Sequence, residues 1–174
     1  VLSFKIKDGL NLNDKKSVTV LDGQDHIIGE IKKTTVPGNE KGTTFVFEQE
    51  GVKATLGIKK GRLLFATYRF QVNGEEFQLK DNTLNSMLYF CVRGTINGKK
   101  WRIDENWDQE LDVSVDGKKI ALIKPHSFLG ADLLIDAEAS RHPLPFSLTC
   151  LMYFMLKIYQ EETEFIEDII DELL

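Results

Sequence analysis

Residues able to do chemistry are thinly spread in this chain. Its three histidines, His26, His126 and His142, stand in separate contexts with neither H-x-x-x-H nor C-x-x-C spacing, whereas a metal centre needs several ligands converging on one point. The segment DENWDQELD alternates oxygen-bearing side chains at Asp104, Asn106, Asp108 and Asp112. A calcium loop of the EF-hand kind needs Gly at its sixth position and Glu at its twelfth. Counted from Asp104 these are Gln109 and Val115, so the segment reads as a polar hairpin rim. Gly57 and Gly61 flank Lys59-Lys60, but no helix follows to receive a phosphate. No G-x-S-x-G, Walker-type or Rossmann pattern occurs, and no nucleophile stands beside a base. The expectation is a protein without catalytic residues, bound metal or cofactor. An enzyme whose site is assembled from distant strands is the alternative.

Two other features are suited to binding. The lysine pairs Lys32-Lys33, Lys59-Lys60, Lys99-Lys100 and Lys118-Lys119, with Lys15-Lys16, fall beside turn signals. Gathered on one surface they would make an anion-binding rim, with Trp101 and Phe128 as neighbouring aromatics, although strand aromatics are more often core. Acids alternate with them, so solvated turns are the plainer reading, and no nucleic-acid partner is expected. The second feature is the C-terminal EETEFIEDIIDELL. Phe165, Ile166, Ile169, Ile170, Leu173 and Leu174 recur there at helical spacing, with only acids opposite them. Such a stripe is expected to dock on the outside of its own fold, or else on a partner protein or second copy. An anionic membrane would favour Lys and Arg on the polar face instead.

The charge pattern sets this tail apart. Seven of the 27 acids follow Gln160 with no base among them, leaving residues 1–160 with 20 acids against 22 bases. Cys91 and Cys150 make no disulfide framework and read as reduced core thiols of a cytoplasmic protein. Lys5, Lys7 and Asp8 interrupt any leader-like apolar run, and the lack of an initiator Met predicts that native residues precede Val1.

The elements that must position these residues are strands. Alternation and β-branched or aromatic enrichment mark twelve of them: Leu2–Lys7, Ser17–Asp22, His26–Lys33, Thr43–Glu50, Val52–Ile58, Arg62–Val72, Glu75–Lys80, Met87–Ile96, Lys99–Glu105, Glu110–Asp116, Lys118–Lys124 and Gly130–Ala137. LDGQD at 21–25, QEG at 49–51, VNGEE at 72–76, INGKK at 96–100 and VDGKK at 115–119 supply the tight turns. Twelve strands in an open sheet leave long edges, which closure into a barrel removes. A barrel of that size is wider than its own side chains can fill. The filler is FSLTCLMYFMLKIYQ, Phe146–Gln160, a helix apolar on every side that Lys157 cuts short of a membrane span. The fold class is therefore mainly β (α+β): a twelve-stranded closed antiparallel β-barrel around a buried hydrophobic C-terminal helix, within a domain of residues 1–160, followed by an extra acidic amphipathic helix at 161–174.

Twelve strands with repeated D/N-G hairpins and then a hydrophobic helix resemble the tubby C-terminal-like superfamily, which includes tubby-like proteins, phospholipid scramblases and LURP-one-related proteins. VDGKKIALIKPHSFLGADLLIDAEAS at 115–140 is similar to the LURP-one-related pattern of D-G turn, strand, basic–aromatic link and strand. The resemblance implies a barrel threaded by its own helix and, from the tubby-like relatives, phosphoinositide recognition by basic surface residues. The scramblases' calcium segment and membrane-inserted tail have no counterpart here. The resulting functional expectation is a non-catalytic binding or adaptor module for anionic lipid head groups or a protein partner. The alternative is a lipocalin-like small-molecule carrier, which requires an empty lumen.

Overall fold

The computed structural model describes residues 1–173 except 8–16, 61–64, 83–84, 86–87 and 127–129. Its strands are β1 Leu2–Lys7, β2 Val18–Leu21, β3 Ile27–Thr34, β4 Thr44–Gln49, β5 Val52–Lys60, β6 Thr67–Val72, β7 Glu75–Asp81, β8 Cys91–Ile96, β9 Lys99–Glu105, β10 Leu111–Val115, β11 Lys118–Pro125 and β12 Ala131–Ile135. Each pairs antiparallel with its sequence neighbours, and β1 also pairs with β12, so the barrel closes with no edge strand. Alternation divides inside from outside. Along β4, β5 and β6 the paired Phe47, Ala54 and Val72 are buried, while Glu48 pairs with Lys53 and Thr55 with Gln71 on the outer face.

Three of the expected Gly turns take one form. Asn73-Gly74, Asn97-Gly98 and Asp116-Gly117 have both central residues at positive φ, the type I′ geometry that matches strand twist. The β2–β3 connection differs: Gly23 keeps a negative φ and Asp25 takes the left-handed conformation at 62°. Asp22 replaces the tight turn with side-chain bonds, its carboxylate accepting from the Gln24 N–H at 2.8 Å and the His26 N–H at 2.9 Å. Two predicted strands begin later than expected. Within the predicted Arg62–Val72 the described strand is Thr67–Val72, with Phe65 and Ala66 outside it, and within Met87–Ile96 it is Cys91–Ile96, with Leu88, Tyr89 and Phe90 outside it. Arg62 and Met87 themselves lie outside the described residues. The amides of Leu88 and Tyr89 bond back to the Asn85 carbonyl, forming a turn that the apolar run concealed.

After β12 a short 3₁₀ turn, Ala139–Arg141, leads into α1, Pro143–Leu173. Every residue from Phe146 to Leu156 is buried, a condition only an enclosed helix satisfies. Phe146 meets Phe4 and Phe47 edge-on, Phe154 stacks on Phe45 at 4.6 Å, and Tyr159 meets Phe90 at 5.5 Å. Ser147 and Thr149 tolerate complete burial because their hydroxyls donate to the carbonyls four residues back, at 2.6 and 2.7 Å. The lumen is thus occupied by α1 along Phe146–Leu156, where a lipocalin-like carrier requires it empty.

One expectation about this region is corrected. The buried helix and the acidic tail are not two helices but one, 31 residues long. No Gly or Pro follows Pro145, so nothing in the chain ends the helix where it leaves the barrel. At 1.5 Å per residue it is about 46 Å long, of which the fully buried part spans roughly 16 Å. No helix among the described residues is long and apolar enough to cross a membrane.

Candidate functional site

Antiparallel pairing gives the barrel two distinct ends. The turns β6–β7, β8–β9 and β10–β11 share the end at which α1 enters, and the β3–β4, β5–β6 and β9–β10 links share the end at which it leaves. This arrangement splits the lysine pairs. Lys32, Lys33, Lys59 and Lys60 lie toward the exit end of β3 and β5, whereas Lys99, Lys100, Lys118 and Lys119 sit at the entrance. Lys32 pairs with Glu30 at 3.2 Å, Lys118 with Asp136 at 3.3 Å and Lys119 with Asp112. The eight lysines therefore make no single basic surface. Trp101, suited to an interface but on a strand where aromatics are more often core, points inward and is 6% exposed. Phe128 and the Lys15-Lys16 pair lie outside the described residues.

The acidic segment expected as a hairpin rim is a self-closed link. Asn106 Oδ1 accepts from the Asp108 and Glu110 amides at 2.9 and 3.1 Å, and Asp104 is held by the Arg102 guanidinium. Its oxygens face their own loop and neighbouring cations. No three His, Cys, Asp or Glu among the described residues are placed to share a metal ion. His26 rests against Asp22, His126 against Asp132 at 3.0 Å, and His142 stands at the start of α1. Both cysteines are buried and neither is in a disulfide. Burial raises both thiol pKa values, which disfavours the reactive thiolate.

The tail behaves differently from expectation. It does not fold back onto the barrel: Glu164 to Leu173 are all exposed, with Phe165 at 65%, Ile166 at 56%, Ile169 at 40%, Ile170 at 49% and Leu173 at 80%. Leu174, the last member of the predicted stripe, lies outside the described residues. The barrel anchors the first half of α1 and presents the second half.

The other notable feature was not visible in the sequence. At the entrance end a cavity of about 760 Å³ opens between the three type I′ hairpins and the start of α1. Val72, Ile96, Trp101, Val115, Ala139 and Leu144 supply its apolar surface. Its residues come from four distant parts of the chain, so no local motif could have marked it.

Compared with family models, curated proteins and solved structures, the chain finds no match.

Proposed function

We propose that this protein is a non-catalytic, cytoplasmic binding module of the tubby C-terminal-like type, which presents the acidic end of α1 to a protein partner carrying an apolar groove bordered by Lys and Arg. The carrying observation is the bare stripe: five large apolar side chains, each 40–80% exposed, on a helix whose other half is locked inside the barrel. The closed twelve-stranded barrel around its own helix is the arrangement that the family resemblance implies, and two buried thiols suit a reducing compartment.

The charge on the same helix selects the partner's chemistry. Glu164 and Asp168, Glu167 and Asp171, and Asp168 and Glu172 are like charges four residues apart, each pair disfavouring the helix by about 0.2–0.5 kcal/mol. The last turn contains no base to meet the negative end of the helix dipole. A cation-bordered groove relieves both while covering the stripe. A second copy would instead bring acid against acid, and an anionic bilayer would repel the same face.

The reading is tested by placing the photo-reactive residue benzoylphenylalanine at Phe165 in the full-length protein and irradiating cells that make it. The expected product is an intermolecular adduct whose partner peptide carries Lys or Arg beside apolar residues. It is lost in an Ile166→Asp/Ile170→Asp variant and weakened by a Glu167→Lys/Asp171→Lys variant. Adducts confined to the protein's own barrel, or formed with lipid, would overturn the reading.

A further inference from the structure

The cavity at the entrance end follows from a mismatch of sizes. A helix with its side chains is roughly 10–12 Å across, less than the interior of a twelve-stranded barrel. It must therefore lean to one side. The strands whose backbones lie nearest α1 are β4, β5, β6, β11 and β12, and the cavity opens against other strands, at Glu75 of β7, Ile96 of β8, Lys99 and Trp101 of β9 and Val115 of β10. It is bordered by Ala139 of the 3₁₀ turn and by Pro143, Leu144 and Pro145 of the first turn of α1, and the half-buried Val115, Ile120 and Leu144 give it most of its open apolar surface. Its volume of about 760 Å³ lies within the range of small-molecule sites, which are typically apolar surfaces with a few charged groups at the edge.

The edge is predominantly acidic. Glu75, Asp116, Asp136 and Glu138 line it against Lys99 and Lys118, and Lys118 is already engaged by Asp136 at 3.3 Å. An anion would look to the N-terminus of α1, whose first amides normally bind one. Here Pro143 and Pro145 have no N–H to give and the Phe146 N–H is committed to the His142 carbonyl at 3.2 Å, so only the Leu144 amide of the first turn is left for an anion. The geometry points to an amphiphilic organic cation as ligand: an aromatic or aliphatic body resting on Val115, Ile120 and Leu144 beside the edge of Trp101, with an ammonium or guanidinium group turned toward the edge carboxylates. This site is at the opposite end of the barrel from the presented helix, so its existence is independent of the partner proposed above.

The chain offers a built-in reporter. It has two tryptophans, and Trp107 is fully exposed on the link at the far end. Trp107→Phe therefore leaves Trp101 as the only tryptophan, excited selectively at the red edge of the band where the four tyrosines do not absorb. In that background the full-length protein is titrated with 2-phenylethylamine, 2-phenylethanol and 3-phenylpropionate, which share a ring and differ in charge. The expected result is a saturable change in Trp101 emission with the amine at about millimolar affinity, the range open to so small a probe, and binding of the carboxylate about tenfold weaker. Asp116→Asn/Glu138→Gln, both at the surface, should weaken the amine several-fold and leave the alcohol unchanged, with circular dichroism confirming the fold. An amine that gives no saturable change, or a carboxylate that binds as tightly as the amine, overturns the proposal.

Discussion

Replacing Phe154 by alanine removes the aromatic ring at the heart of the barrel. Phe154 is 1% exposed, stacks on Phe45 of β4 at 4.6 Å and 23°, and meets the neighbouring Tyr153 edge-on at 5.0 Å. Truncating a buried Phe to Ala costs about 3–5 kcal/mol, combining lost transfer energy with the cavity left behind. Against a total stability of about 5–15 kcal/mol for a domain, that is a large share. With a urea m-value of about 2 kcal/mol/M, the unfolding midpoint followed by far-UV circular dichroism should fall by roughly 1.5–2.5 M. Part of the cost belongs to the stacked pair. A double-mutant cycle with Phe45→Ala should return a coupling of about 0.5–1.5 kcal/mol. Phe154→Asp places an unpaired charge in the lumen and should give insoluble protein. A midpoint lowered by less than about 0.5 M for Phe154→Ala, or a soluble and cooperatively folding Phe154→Asp, would refute the reasoning that α1 fills the barrel.

Other consequences follow from particular contacts. The buried Asp81 carboxylate accepts from the Tyr68 hydroxyl at 2.8 Å and from the Ala66 amide at 2.8 Å, so Tyr68→Phe should cost about 1.5–3 kcal/mol in urea denaturation; an unchanged midpoint would contradict that bond. Backbone hydrogen bonds, first that from the His26 amide, hold the Asp22 carboxyl below its ordinary pKa, and the Arg69 guanidinium does the same for Glu76. Their contribution is complete above the ordinary carboxylate range and is lost as pH falls through the lowered folded values. Stability should therefore decline with acidification below about pH 4, with a shallower decline in Asp22→Asn. With Cys91 and Cys150 both buried, a thiol reagent such as DTNB should label neither quickly in the native state and both in urea; rapid native labelling of either would contradict the packing. Because like charges oppose the tail helix, raising salt should increase its ellipticity slightly through screening, and no increase would mean that the tail's charges are already compensated.

The barrel was legible because its signals are local and repeated. Asn73-Gly74, Asn97-Gly98 and Asp116-Gly117 each specify a hairpin by backbone preference alone, and the strands between them alternate apolar and polar residues. Phe146–Leu156 announced a buried helix because it has no polar face. What the sequence concealed depends on relations between distant residues. Lysine pairs that look equivalent in the sequence fall at opposite ends, because strand direction alternates along the meander. The β2–β3 turn escaped because Asp22 works through its side chain while LDGQD looks like an Asp-Gly turn. The continuity of α1 was obscured by a change of composition at Gln160, although composition alone does not end a helix that has no Gly or Pro. The entrance cavity depends on which way α1 leans, and that is set jointly by Phe4, Phe45 and Phe47 packing on one side.

α1 is one helix with an anchored half and a presented half. Hydrogen–deuterium exchange along it, read by residue in the full-length protein, tests this most directly. Amides from Phe146 to Leu156 should exchange only with global unfolding, while those from Glu164 to Leu173 should exchange by local fraying, orders of magnitude faster. Protection continuing undiminished to Leu173 would contradict it, because the tail would then be docked on its own barrel and its apolar stripe already covered.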